Sequence, residues 1–529
     1  MPIPGEKCGK TMKLNFNDYK DKVKGCYLGK NIGGTLGAPF ECFRGVYDID
    51  FFMQDVSNPV PNDDLDLQFV WLSAIEHEGK NVDSQVLAQY WENYVSAVIS
   101  EYGTGKNNFR NGVYPPLSGY LRNENRESNG AWIRTEIWAC LCAGNPALAA
   151  NYAYYDACVD HSGEGIYAAV FTATVQTAAF FESDAHKLIE IGLSYLPEKC
   201  GVRHAAEVVL DCYRRGDDWK TARKKLLIAE PSSFGEIGGE WQGTSLVPAS
   251  EKCPVQKKDK DIPQAVHGYD APASIGIVLI GWLYGKGDFG KSICIATNCG
   301  EDTDCTAGTL GAILGIISGA AALPEKWVKG CSDKIAICTL RPDLLLNVPE
   351  TITAFCDRVI KQFPVVSSIA CTFTENGFEI IPQKTFAYDE NAFYPYQQEN
   401  FKELLDESPN TARFHFPSLT VKVKYDESLT KITEGTAKRL TVTLCNKLYL
   451  PQYFTVNLTG VPEEWNVANG TKRGVGLEHW HGSKVNHTKS AEFILTPNTL
   501  NEAIYRLTLE ISPNGRGERY YVPVTFIVE

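Results

Sequence analysis

Through residues 17–363 apolar residues recur three and four positions apart, and the runs are interrupted by Gly and Pro. That period predicts helices over 67–75, 84–100, 131–143, 165–181, 205–213, 273–284, 306–323 and 348–359. This part of the chain therefore reads as an all-α domain. Past Phe363 the pattern shortens to β-rich pieces, followed by a polar and aromatic stretch at 388–410. From Arg413 onward apolar and polar residues alternate, in LTVKVKY, RLTVTLCN, YFTVNLTG, EFILTPN, IYRLTLEIS and YYVPVTFIVE, with turn residues between. Short strands at this spacing predict a small immunoglobulin-like β-sandwich. The expected fold class is multidomain: an all-α domain over 1–385, a linker or packing arm over 386–412, and the sandwich over 413–529. No internal repeat is evident, and KDKD at 258–261 with Lys257 before it reads as a charged loop.

Two or more domains are what 529 residues require, since single cores stop growing well below that length. The longest uncharged run, 306–323, is borderline for a membrane span. Gly311, Gly315 and Gly319 recur in it every four residues, so it reads instead as a buried helix that a neighbour approaches closely. A net charge of −13 argues against a non-specific nucleic-acid binder, whose affinity rests on basic side chains. Neither nucleic acid nor membrane is an expected partner. The opening MPIPGEKCGKTMKLNFNDYKD lacks the apolar core and cleavage site of a secretory signal, so a cytoplasmic location is expected. Most of the 17 cysteines then read as reduced, buried thiols. Cys140 and Cys142 flank one residue of a predicted helix and share no face, which disfavours a zinc or redox pair. In the cytoplasm the sequons at Asn457, Asn469 and Asn486 carry no meaning.

The chemistry concentrates in two acidic clusters, Asn62-Asp63-Asp64-Leu65-Asp66 and Gly300-Glu301-Asp302-Thr303-Asp304-Cys305-Thr306, each opening a long apolar helix. If the fold joins them, they repel. Two unit charges about 4 Å apart interact by roughly 4 kcal/mol at an effective dielectric of about 20, so such a cluster needs a cation or raised pKa values. Every donor except the Cys305 sulfur is an oxygen, which favours Mg²⁺, Mn²⁺ or Ca²⁺ over zinc or copper. The residues alone leave a second reading open: Asn62 after Pro61 is a good N-cap, and acids in a first turn complement the helix dipole without binding anything. An EF-hand is disfavoured. Counting from Asp302, the twelfth position is Ile313 where a bidentate Glu is required.

Several ordered motifs resemble the ADP-ribosylglycohydrolase family, the all-α hydrolases related to dinitrogenase-reductase-activating glycohydrolase. GCYLGKNIGGTLGAPFE is similar to its first Gly-rich helix, with Gly25, Gly29, Gly33 and Gly37 packing on neighbours and Glu41 closing the motif. PNDDLDLQ and NCGEDTDCTAGTLGAILG are similar to its first and last metal motifs. SNGAWIRTEIWAC and YDACVDHSGEGIYAAVFTATVQTAAF are similar to segments that line the substrate pocket, the second with a His near bound ribose. The resemblance runs over most of residues 20–325. It implies that the all-α domain is an orthogonal helical bundle, with one or two Mg²⁺, Mn²⁺ or Ca²⁺ ions held by Asp63, Asp64, Asp302 and Asp304, and with Asn62 where the family has Ser or Thr. It also implies Glu41 and Asp302 as catalytic residues, Asn129, Gly130 and His161 as substrate contacts, and a metal-activated water that cleaves an N- or O-ribosyl linkage of ADP-ribose. Leu65 and Thr35 depart from the family's Thr and Asp. Cys305 replaces a ligating Thr, so an oxygen is lost or supplied by Thr306, Glu301 or Asp66.

Without the resemblance Glu41 reads as a helix-end carboxylate facing solvent, His161 as a satisfied core residue, and Asn129 equally as an N-cap. Trp132 and Trp138 read as core. The loop from Gly235 to Gly243 follows no strand and is no dinucleotide fingerprint; its glycines, acids and Trp241 suit a rim over the pocket. GTAKRLTVTLCNKLYLPQYFTVNLTGVPEEWNV weakly resembles the β-sandwich modules of carbohydrate-active enzymes. Small-molecule or protein-linked ADP-ribose is the expected partner. A furanoside or O-glycan hydrolase and a catalytically silent nucleotide- or sugar-binding protein are the alternatives.

Overall fold

The computed structural model describes residues 12–237, 241, 243–247, 261–341, 347–390, 392, 394–397, 401–405, 407–416, 418–448, 450–478 and 487–529. Outside the described residues lie the first eleven, Lys257 to Lys260 of the charged loop, Gly238, Gly239, Glu240 and Gln242 of the glycine-rich loop, parts of the 388–410 stretch, and the Asn486 sequon. The chain divides into two compact units, Met1–Tyr388 and Asp389–Glu529.

The first unit is built on a pair of antiparallel helices, Phe16–Gly37 and Thr303–Ser318, that touch backbone to backbone. A Cβ on Gly29 would lie 2.0 Å from the Gly311 carbonyl oxygen, and one on Gly315 would lie 1.9 Å from that of Gly25. No side chain fits such a crossing, so the four-residue glycine spacing of both helices is dictated by it. Apolar helices buried on nearly every side pack around the pair, among them Ala271–Gly285 and Glu164–Ala178. A small antiparallel sheet, Leu14–Asn15, Gly377–Ile380 and Cys371–Thr374, covers the start of the first helix. Phe378 there stacks on Phe363 with ring centroids 5.3 Å apart.

Two expected helices are interrupted. The segment predicted as 84–100 stops at Tyr94, where Val95 turns extended and bridges to Leu340; a separate helix, Ser100–Arg110, follows. The intervening VSAVI is rich in β-branched residues, which do not hold a helix against tertiary pairing. The segment predicted as 131–143 is a 3₁₀ turn, Trp132–Arg134, then a short helix, Glu136–Leu141. Between them the Thr135 hydroxyl bonds Thr172 and Gln176 of the adjacent helix. The 306–323 segment is the buried helix expected, ending at Ser318. No described helix is long and apolar enough to cross a membrane. The described cysteines are free, and Cys140 and Cys142 are buried.

The second unit holds two five-stranded sheets. One runs Lys472–Leu477, Gln452–Thr459, Ile504–Pro513, Tyr520–Val528 and Lys431–Ile432; the other runs Thr411–His415, Leu419–Tyr425, Lys438–Asn446, Thr488–Pro497 and Trp465–Val467. Neighbours are antiparallel except the pair of Tyr520–Val528 with Lys431–Ile432. The alternation read from the sequence becomes inward Leu440, Val442 and Leu444 of one sheet and Leu507, Leu509 and Ile511 of the other, all in one core.

Candidate active site

Three helix ends meet in the first unit. The helix Phe16–Gly37 runs through a 3₁₀ turn, Ala38–Phe40, to Glu41. Just beyond, the Cys42 N–H donates to the Glu301 carbonyl at 2.9 Å and the Glu301 N–H to the Phe43 carbonyl at 3.1 Å. This clip sets Glu41 beside the residues that open Thr303–Ser318, and it demands left-handed backbone at Gly300, φ 69°, and Glu301, φ 68°. Carboxylate oxygens of Glu41, Asp302 and Asp304 consequently lie within 4.8 Å of one another. The helix Asp63–Glu78 supplies the third end: Asp64, Asp304 and the Cys305 sulfur form a second group of the same span. The two distant acidic motifs are thus one cluster.

Capping and convergence coexist at the first motif. The Asn62 side-chain oxygen accepts the Asp64 N–H at 2.8 Å, and its amide nitrogen lies against Gly34. Asn62 therefore holds the helix start, and its oxygen is engaged there. Asp63 stands beside the groups and accepts from the Tyr102 hydroxyl at 3.2 Å. Asp64 is fully buried and forms an ion pair of 2.8 Å with Lys30, itself fully buried and 3.4 Å from Glu136. Burial would depress the Lys30 ammonium, but Asp64 and Glu136 beside it hold its pKa above the ordinary lysine range.

Of the residues expected to touch substrate, Asn129 is turned to the acids. Its amide donates to Asp302 at 2.6 Å and to the Ser274 hydroxyl at 3.1 Å, while its oxygen accepts the Trp132 indole N–H at 3.0 Å. Asn129 thus fixes the Asp302 carboxylate. Gly130 packs against Glu101, Tyr102 and His161, where a Cβ would come within 2.4 Å of the Glu101 carboxylate. His161 is fully buried, with Nδ1 2.9 Å from Asp160 and Nε2 3.2 Å from Ser128, and Asp160 pairs in turn with Arg134. Its ring is enclosed by protein, the core arrangement that the residues alone suggested. Trp132 and Trp138 are core as well.

Of the proposed replacements for the lost oxygen ligand, only Asp66 keeps a buried oxygen, Oδ1, without a partner. Glu301 is paired with Arg44 at 2.7 Å, one Asp66 oxygen accepts from the backbone of Cys338 and Thr339, and the Thr306 hydroxyl donates to the Asp302 carbonyl. The Cys305 thiol is raised far above its ordinary pKa by burial and by Asp302 and Asp64, so it sits among the acids as a neutral group, 3.6 Å from Asp64. Glu41 is exposed at the edge. Next to it Trp241 donates to the Pro39 carbonyl at 2.8 Å and stacks on Phe40, so this residue packs against the turn that leads into Glu41. Lys30, Tyr102 and Glu136 were not singled out from sequence. The only signal for Lys30 was a charged residue amid the close-packing glycines.

A hard divalent cation fits this donor set. Asp302 Oδ1 and Asp304 Oδ1 are buried with no hydrogen-bond partner, an arrangement that is costly without a counter-charge. In the metal-free protein burial, then Asp64 and Asp66, push Asp63 up to about 6; burial, opposed by Lys30 and reinforced by Asp304, pushes Asp64 up to about 7. Carboxyls held above their unfolded values bind protons more tightly when folded. Their contribution is present at low pH and is lost as pH rises through about 6 to 7. The chelated protein should accordingly melt at a lower temperature at about pH 8 than at about pH 5, and saturating Mg²⁺ or Mn²⁺ should narrow the gap. Equal melting temperatures in EDTA at both pH values would contradict the clustering.

The family model described as ADP-ribosylglycohydrolase matches residues 15–365. No curated protein matches the chain. Among solved structures, one described as an "ADP-ribosylglycohydrolase-related protein complex" is 16% identical, covers 66% of this chain and 100% of its own, and has a TM-score of 0.41. A FixG-related protein from Vibrio parahaemolyticus is 14% identical, covers 21% of this chain and 97% of its own, with a TM-score of 0.17.

Proposed function

We propose that this chain, which belongs to the ADP-ribosylglycohydrolase family, hydrolyses the bond between the ribose of an ADP-ribosyl group and an N- or O-linked partner. Membership supports glycohydrolase chemistry. The observation that carries the finer reading is the group formed by Glu41, Asp302 and Asp304, in which two buried carboxylate oxygens lack partners while Glu41 is open to solvent. Glycoside cleavage passes through an oxocarbenium-like state that needs a proton donor at the leaving atom and negative charge near the anomeric carbon. In the metal-free protein Asp304 foremost, then burial and the first acidic motif, hold the Glu41 carboxyl above its ordinary range, the direction that suits a proton donor. Glu41 is thus assigned as the acid. Asp302, oriented by Asn129, would join Asp304, Asp63 and Asp64 in holding Mg²⁺, Mn²⁺ or Ca²⁺. When bound, such an ion supplies Lewis acidity and a lowered pKa for water.

The acids and their supports all lie between Lys30 and Asp304, which favours assigning catalysis to 1–385 and docking or recognition to the sandwich of 413–529, joined through 386–412. Small-molecule or protein-linked ADP-ribose is the proposed substrate. The test is a panel of ADP-ribosylated Arg, ADP-ribosylated Ser and ADP-ribose-1″-phosphate beside aryl furanosides, each with added divalent ion and with EDTA. Metal-dependent turnover of an ADP-ribosyl substrate is expected. Turnover of furanosides alone would overturn the substrate assignment, and binding without turnover would overturn the enzymatic one.

A further inference from the structure

The two acidic groups share Asp304 but differ in what surrounds their other members. In the Glu41, Asp302 and Asp304 group the donors are all oxygen, and Asp302 Oδ1 and Asp304 Oδ1 have no partner. In the Asp64, Asp304 and Cys305 group Asp64 Oδ2 also lacks an aligned hydrogen bond, but it already faces a protein cation, and Oδ1 faces a thiol. Oδ2 lies 2.8 Å from the Lys30 ammonium, and Oδ1 lies 3.6 Å from the Cys305 thiol. A thiol is moreover a poor ligand for a hard ion.

Lys30 cannot swing away. It is fully buried on the helix that crosses Thr303–Ser318, and its ammonium also donates to the Ile133 carbonyl at 2.5 Å and lies 3.4 Å from both the Thr309 hydroxyl and Glu136. Glu136 is held from the far side by Gln68 at 2.9 Å and Gln176 at 3.1 Å. The ammonium is thereby a fixed positive charge built into the wall of the acidic cluster, at the point where Asp64 would otherwise need a cation.

We infer that Lys30 takes the place of a second cation, which narrows the ligand set proposed above: the site holds a single divalent ion, on Asp302 and Asp304, with Asp64 kept out of its coordination and Glu41 left free as the acid. Lys30 is in this account a positioning residue. The inference rests on reading the cluster as a metal centre, and the experiment separates the two. Mn²⁺ is titrated into the metal-free full-length protein, bound metal per chain is measured by equilibrium dialysis, and the bound state is examined by electron paramagnetic resonance. The wild type should bind one Mn²⁺ with the hyperfine-split signal of an isolated ion. Lys30→Met, similar in length but neutral, frees Asp64 and should bind a second Mn²⁺, with the signal broadened or lost through spin coupling. A wild type that binds two coupled ions overturns the inference whatever the variant does, so the result stands even if Lys30→Met fails to fold. A folded Lys30→Met that still binds one isolated ion overturns it too. No Mn²⁺ bound by the wild type would instead remove the metal centre itself.

Discussion

Asp304→Asn is expected to lower turnover and divalent-ion affinity by about 100-fold or more, because even residues that only orient metal ligands act on a scale of about 10- to 100-fold. Asp304 is the residue common to both acidic groups, and one of its oxygens is buried without a partner. The amide keeps the shape and removes the charge. In the metal-free protein the same substitution should leave the melting temperature unchanged or raise it, since a carboxylate leaves a crowd of others and the pKa of Asp302, lifted by burial and then by Asp304, relaxes. Loss of activity without loss of stability is therefore the signature. It is read by isothermal titration with Mn²⁺, a rate assay and a thermal melt on one preparation. Near-normal rates would take Asp304 out of the site.

Gly311→Ala is expected to act on the fold. The added Cβ would stand 2.1 Å from the Gly29 carbonyl oxygen and 2.8 Å from its carbon, and backbone has no rotamer to escape into. Overpacking typically costs about 1 to 3 kcal/mol, and this contact belongs at or above the upper end. Activity should fall with stability, because the two helices forced apart are those whose adjoining ends deliver Glu41 and, facing it, Asp302 with Asp304. Gly308→Ala on the same helix is the control. Its nearest neighbours, including Lys30, would be 3.4 Å from the new Cβ, an ordinary contact, and alanine gains about 1 kcal/mol of helix propensity over glycine. Equal melting temperatures for the two variants would contradict the backbone crossing.

The helix crossing was legible in advance because it depends on what is missing. A glycine at every fourth position announces that a neighbour comes close, and both partners, 25–37 and 311–319, carry the spacing. The strands of the second unit were legible for a similarly local reason. Strict alternation in LTVKVKY or IYRLTLEIS fixes which side chains face inward, whatever the partner strand. Local pattern misjudged the ends of 84–100 and the continuity of 131–143, where a bridge from Val95 to Leu340 and the side-chain bonds of Thr135 override helical preference.

For the site, the sequence by itself determined the inventory: which carboxylates exist, that each cluster opens a helix, that Asn62 is suited to cap the first, and that a thiol, Cys305, stands among the acids of the second. Those are properties of residue type and near neighbours. Only the tertiary structure decided how the inventory is used. It turned Asn129 onto Asp302, enclosed His161 against Asp160, and engaged Glu301 with Arg44. It also buried Lys30 beside Asp64, though a lysine in a helix reads as a solvent-facing charge. The physical reason is that pairing and burial depend on distances across chain segments hundreds of residues apart, and an ionic group declares its role only when the low-dielectric interior has closed around it and a partner is within reach.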